Sequence, residues 1–229
     1  MNSAWLWGRA VSKACLLVGV LMLAAACTSN ATDIIQTIAG GGSLEGYKPV
    51  EANLSLGAYK GVAVNAAGEL FVADTGHHQV LKINPATGLI TVVAGNGTNC
   101  FYGDGLPGPS AALSFPQAIA LDSAGNLFIA DAGNSRIRKV DTTTGFITTV
   151  AGTGTPGLSG DGGLATSAQL TSPGDVAVDS AGNIFIGDSG NNLRVREVFA
   201  GTNIIQTVAG SAPVAARRRI SAQSNSYSE

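Results

Sequence analysis

The sequence predicts an all-β protein built from repeated units of four short antiparallel strands. Three observations carry this. Four related segments, "IIQTIAG" (34–40), "LITVVAG" (89–95), "FITTVAG" (146–152) and "IIQTVAG" (204–210), end on glycines 55, 57 and 58 residues apart. Between them lie three copies of one core, "GVAVNAAGELFVADTGHHQVLKI", "AIALDSAGNLFIADAGNSRIRKV" and "DVAVDSAGNIFIGDSGNNLRVREV". No stretch beyond residue 27 shows the 3.6-residue apolar period of an amphipathic helix. Repetition at such a period is the mark of a solenoid or a propeller.

Each unit divides into four strands. The first is a short apolar run: Val62–Val64, Ile119–Leu121 or Val176–Val178. A turn follows, "NAAGE" or "DSAGN", opened by Asn or Asp, whose side chain accepts backbone N–H groups, and closed by a left-handed Gly. The second strand is "LFVAD", "LFIAD" or "IFIGD". A second turn, "DTGHH", "DAGNS" or "DSGNN", leads to the third strand, "QVLKI", "RIRKV" or "RVREV". A Gly-bearing link leads to the fourth. Leu193 reads as the insertion that lengthens the last spacing. Four antiparallel strands, repeated, are the signature of a β-propeller blade. The first strand should line a crowded central channel, which suits Ala63, Ala120 and Ala177. Closed propellers use about four to eight blades. The three here, with repeats at approximately 41–95, 96–152 and 153–210 inside a 34–210 region, predict a partial or open propeller.

The core pattern, Ile/Val-Ala-Leu/Val-Asp, then Gly-Asn-Leu/Ile-Phe-Ile-Ala-Asp, then Gly-Asn and an Arg-Ile/Val-Arg run, resembles the NHL repeat. With "SGDGGLATSAQL" between blades it is similar to secreted bacterial NHL propellers and to the NHL region of teneurins. The resemblance specifies a fold and not an activity. The first copy departs most. Asn65 replaces Asp122 and Asp179, His77-His78 replace Asn-Ser and Asn-Asn, and its loop lacks Gly-Asp-Gly.

The ends read differently. Arg9 and Lys13 flank an apolar run at 14–26, the size of a signal h-region. It ends in "LAAAC", which resembles a bacterial lipobox. The resemblance implies that residues 1–26 are a signal peptide, that Cys27 carries lipid, and that 27–33 form a linker. The expected localisation is exported and membrane-anchored through that lipid, on the periplasmic or cell-surface side. Thr28 after the cysteine points to the outer membrane in a two-membrane host. Cys15 leaves with the signal, so Cys100 has no internal partner. Residues 211–229 have no strand pattern and read as a disordered tail, or as the end of a truncated or frameshifted longer gene.

Function is less legible. The 229 residues include 13 Lys and Arg against 15 Asp and Glu, a net charge of −2 that argues against nucleic acid. Asp74, Asp131 and Asp188 recur once per blade, whereas a catalytic group is needed once per site. They are read as structural, accepting N–H groups of the turn that follows. Asp104 and Asp161, flanked by glycines, could ligate calcium, although neither has a second acid nearby. A turn that folds each long loop onto its blade is the plainer reading. His77-His78 lacks the further ligands that zinc needs. No nucleophile–base set is visible, so no catalytic or metal residue is assigned and the chain leans away from enzymes.

Antiparallel strands place the second-to-third-strand turns and the long loops 41–57, 96–116 and 153–170 on one face. Function concentrates in such loops. Phe101, Tyr102, Asn134, Arg136, Asn191 and Asn192 are the candidate ligand-binding residues. The expected function is a membrane-tethered binding or scaffold module for a protein or glycan. The alternative is a propeller enzyme of the gluconolactonase-like or lyase-like kind, or a fragment of one. Unpaired end blades also predict self-association.

Overall fold

A computed structural model describes residues 54–55, 61–84, 86–190 and 193–210. The expected signal peptide (1–26), Cys27, the 34–40 segment, Asn191, Asn192 and residues 211–229 lie outside the described residues. The described residues all belong to one compact unit, Thr37–Glu229.

They form three antiparallel four-stranded sheets, each in simple sequence order. The first blade is β1 (Val62–Val64), β2 (Leu70–Asp74), β3 (Gln79–Asn84) and β4 (Leu89–Ala94). The second is β5 (Pro116–Leu121), β6 (Leu127–Asp131), β7 (Arg136–Val140) and β8 (Ile147–Ala151). The third is β9 (Pro173–Val178), β10 (Ile184–Asp188), β11 (Arg194–Val198) and β12 (Ile205–Gly210). The second strands fall where the repeat places them. The first strands of blades 2 and 3 begin three residues early, on Pro116 and Pro173, because proline is tolerated as the first residue of a strand. The sheets do not close a ring among the described residues.

The turn between first and second strands forms as its sequence requires. Asp122 Oδ1 accepts the N–H groups of Ala124 (3.0 Å) and Asn126 (2.8 Å), and Asp179 and Asn65 do the same in their blades. Gly125 closes its turn at φ +82°. Hydrogen bonds from Asn183 and the turn amides hold the half-buried Asp179 carboxyl below its ordinary value. A second device ties this hairpin to the next turn of the same blade. Asn126 Oδ1 accepts the Thr142 N–H at 3.0 Å, and Asn183 accepts that of Ala200 at 3.0 Å. In blade 1 the position of Thr142 is Pro85, which has no N–H to give. There Glu69 replaces the Asn and pairs with Lys82 at 2.9 Å. That contact, with Asn65, lowers the Glu69 carboxyl from its ordinary value.

The cores lie between blades. Ala63, Phe71, Ala73, Val80 and Ala94 of blade 1 pack on Ile119, Leu127, Ile129, Val140 and Ile147 of blade 2. Ala118, Phe128, Ala130 and Ile137 of blade 2 pack on Val176, Ile184, Ile186 and Val198 of blade 3. Ala63 and Ala120 join these clusters from the first strands. Their small side chains therefore serve the blade-to-blade contact as well as the crowding expected at a channel. Gly61 shows how close that contact is. A Cβ there would stand 2.7 Å from the Gln117 carbonyl oxygen and 2.8 Å from the Ala118 Cα.

Candidate functional site

The repeated aspartates are fully buried and organise one face of the blades. Asp131 Oδ1 accepts the Ser114 N–H at 2.7 Å, Asp188 Oδ1 that of Thr171 at 2.6 Å, and Asp74 Oδ1 that of Ser55 at 2.7 Å. This corrects the expected partner. The backbone donor is the long loop 17 to 19 residues upstream, not the turn that follows. The following turn contributes a side chain instead. Asn134 Nδ2 donates to Asp131 Oδ2 at 2.8 Å, and His77 Nδ1 meets Asp74 Oδ2 at 2.9 Å. Asp74 and Asp131 thus staple the entrance of their blades to the turn beside them, and Asp188 fastens the incoming loop of blade 3, which is the structural part that one residue per blade implied.

A buried arginine completes the staple in two blades. Arg138, fully buried, lies 3.5 Å from Asp131 Oδ2 and 2.8 Å from Asp104 Oδ1. Arg196 spans Asp188 (3.9 Å) and Asp161 (2.6 Å) in the same way. In blade 1 the cross-strand position of these arginines is Leu81. Its upstream loop also lacks the Gly-Asp-Gly acid. The arginine and the loop aspartate are therefore present together or absent together. Asp104 and Asp161 each turn a carboxylate oxygen to a guanidinium, the positive charge a calcium ion would otherwise bring. Among the described residues no group of three or more His, Cys, Asp or Glu is placed to hold a metal.

Burial dominates the chemistry of Asp131. Loss of hydration pushes its carboxyl up to about 6, against the opposing pull of Asn134, the Ser114 N–H and Arg138. In blade 1, desolvation, together with the charge of His77, lowers the His78 imidazole. His78 accepts the Phe115 N–H on Nδ1 at 3.2 Å and meets the Phe115 ring edge-on at 4.6 Å. The His77–Asp74 contact has the form of an oriented base. Asn134 makes the same contact to Asp131 in blade 2, however, so the blade architecture explains it.

Four of the sequence-derived candidates come together. The Phe101 ring carries the Arg136 guanidinium 3.6 Å from its centre, with that of Arg138 at 4.9 Å. Arg136 is held by the carbonyl oxygens of Asn134 (3.0 Å) and Thr153 (2.6 Å). Asn134 donates to the Cys100 carbonyl at 3.0 Å. Phe101 and Tyr102 remain 41% and 59% exposed, side by side at the tip of the loop. Cys100 is exposed and free among the described residues. The turn and the two long loops flanking blade 2 thus share one face.

A cleft on the opposite face was not legible in the sequence. It encloses about 830 Å³ between blades 1 and 2. Phe71, Leu121 and Val140 line it, and Asn65, Lys82, Asp122 and Asp141 stand at its polar rim. It arises from the gap between two sheets, which no local motif encodes.

These features define a β-propeller-type fold whose blades are similar to NHL repeats. Residues 58–158 match the family model of the teneurin NHL domain. The chain is 38% identical to NHL repeat-containing protein 2 of Gallus gallus over 117 residues, which is 50% of this chain and 16% of that protein. It is 32% identical to teneurin-1 of Mus musculus over 103 residues, or 40% of this chain and 4% of that one. The fold matches a protein of unknown function from Bacteroides thetaiotaomicron with a TM-score of 0.53 and 22% identity, covering 60% of this chain and 34% of the other. The matched region is thus a small part of each of these relatives.

Proposed function

We propose that this chain is an exported, membrane-tethered NHL-repeat protein that works as a binding module, with a protein as the favoured ligand and a glycan as the alternative. The observation that carries the reading is the pair of exposed aromatics, Phe101 and Tyr102, with the Phe101 ring stacked on the Arg136 guanidinium. Aromatic and arginine side chains on a rigid support are what binding hot spots are made of. The stapled loop supplies the rigidity, so little conformational freedom is lost on binding. Asp104 and Asp161 enter as staples, and the reading needs no cation. The tether rests on the apolar run at 14–26 and on Cys27.

Panning a displayed peptide library and a glycan array on the immobilised full chain tests this. A selected ligand should lose about tenfold or more in affinity with Phe101→Ala or Arg136→Ala. Glycan hits without peptide hits would move the ligand class. Ligands that bind both variants as tightly as the wild type would overturn the assignment of the face.

A further inference from the structure

The cleft between blades 1 and 2 takes no part in the face that carries Phe101. Its volume is about 830 Å³. Small-molecule sites enclose roughly 300–1,000 Å³. The wall is apolar: Phe71 and Val92 of blade 1, Leu121 and Val140 of blade 2, and Pro109 of the loop that joins them. Such a wall holds an apolar body, and a few polar groups at the rim select its head group.

The rim is acidic once its internal pairing is counted. Among the described residues that line the cleft, Lys82 is the one cation, and Glu69 holds it at 2.9 Å. Glu69 is peculiar to blade 1, because Asn126 and Asn183 stand at its position in the other blades. In blade 2 the equivalent lysine, Lys139, lies over the Phe128 ring instead, 5.7 Å from its centre. Phe128 packs towards blade 3, away from this cleft. Asp122 and Asp141 also stand at the rim, and neither is in an ion pair among the described residues. Asp122 uses both oxygens within its own turn, on the Ala124 and Asn126 amides and on the Asn126 side chain. Asp141 uses only Oδ1, which accepts from the Thr143 and Thr144 amides and the Thr144 hydroxyl. Its Oδ2 has no hydrogen-bond partner among the described residues.

We propose that this cleft binds a small organic cation, an amine or guanidine carried on an apolar body. The body lies against Leu121 and Val140, and the cationic head is met by Asp141 Oδ2, with the charge of Asp122 adding to the attraction. An anion of the same shape would face two uncompensated carboxylates.

Isothermal titration calorimetry of the full chain in mild detergent tests this with two probes of similar shape and opposite charge, tryptamine and indole-3-propionate. Tryptamine should bind about tenfold more tightly or better. Asp141→Asn gives the turn the residue that blade 1 carries there, Asn84, whose Oδ1 accepts the equivalent Ala86 and Thr87 amides. It should weaken tryptamine by about threefold or more and leave indole-3-propionate no weaker. Val92→Phe, which fills the cleft, should weaken both probes in a chain that melting curves show to be folded. The absence of tryptamine binding up to about 1 mM would overturn the proposal. So would equal affinity for the two probes, or a tryptamine affinity unchanged by Asp141→Asn. Binding lost with Phe101→Ala but kept with Asp141→Asn would place the amine on the opposite face and overturn it as well.

Discussion

Blades 1 and 2 solve the same problem with different chemistry. Both bury an aspartate at the end of the second strand and use it to fasten the incoming loop, through Ser55 in one and Ser114 in the other. Blade 2 adds Arg138 and Asp104. Blade 1 instead has Leu81, Gln79 and His77 around Asp74, with Gln79 Nε2 3.4 Å from the carboxylate. The backbone contact is therefore the invariant of the repeat, and the charge pair is an option taken as a unit. A buried arginine with one acid removed is worse than no arginine, because an uncompensated charge stays out of water.

The largest effect should come from breaking that unit. Arg138→Leu gives blade 2 the blade 1 residue but leaves Asp131 buried without its guanidinium and frees Asp104. A loss of about 3 kcal/mol is expected in urea unfolding. Adding Asp104→Ser to that variant should recover little, because the cost sits at Asp131. A loss under about 1 kcal/mol would mean that the pair contributes little beyond the hydrophobic volume it fills.

Asp131 itself makes the second prediction. Its folded-state pKa of about 6 lies above the ordinary carboxylate value, so protonation favours the native state. Its contribution is fully present below about pH 4 and is lost as pH rises through about 6, on the order of 2–3 kcal/mol. Relative to Asp131→Asn, the wild type should therefore gain stability when the pH is lowered from 7 to 5. A difference that stays flat with pH would place the charged carboxylate as the favoured native form.

Two smaller effects sharpen the comparison. Gly125→Val puts a β-branched residue at φ +82°, where a Cβ meets only Thr142 at 3.9 Å, so strain and not collision sets the cost. About 1–2 kcal/mol is expected by chemical denaturation. His77→Asn should be nearly neutral, within about 0.5 kcal/mol, because Asn134 already makes the equivalent contact in blade 2. A larger loss in thermal melts would give His77 a role that its blade 2 counterpart lacks.

What the sequence made legible was the local part of this structure. Strand alternation and the Asp/Asn turns are encoded within a few residues, and the second strands lie where the repeat puts them. The partner of each buried aspartate is 17 or more residues away, and a local turn rule pointed to the wrong N–H. The Arg138–Asp104 pair had a signal that could have revealed it: "RIR" and "RVR" occur in the two blades with Gly-Asp-Gly loops, and "QVL" in the one without. Leu193 was read as an insertion, and it stands at φ +46°, 73% exposed, in the link before β11. Phe101, Tyr102, Asn134 and Arg136 could be placed on one face from the sequence because topology alone decides which loops share a face. The cleft was not found, because it depends on how two sheets sit together.

The account stands on one mechanical claim, that the buried aspartate and arginine hold the long loop of blade 2 rigid and so build the face that carries Phe101. Amide hydrogen exchange of the full chain and its Arg138→Leu variant measures this directly. Ser114, Gly105 and Ala112 donate to Asp131, Ile147 and Tyr102 in the native loop. Their amides should be protected in the wild type. In the variant the Gly105 and Ala112 amides should exchange about tenfold faster or more, while those of β6 and β7 keep their protection. Equal exchange of the loop in the two proteins would contradict the claim.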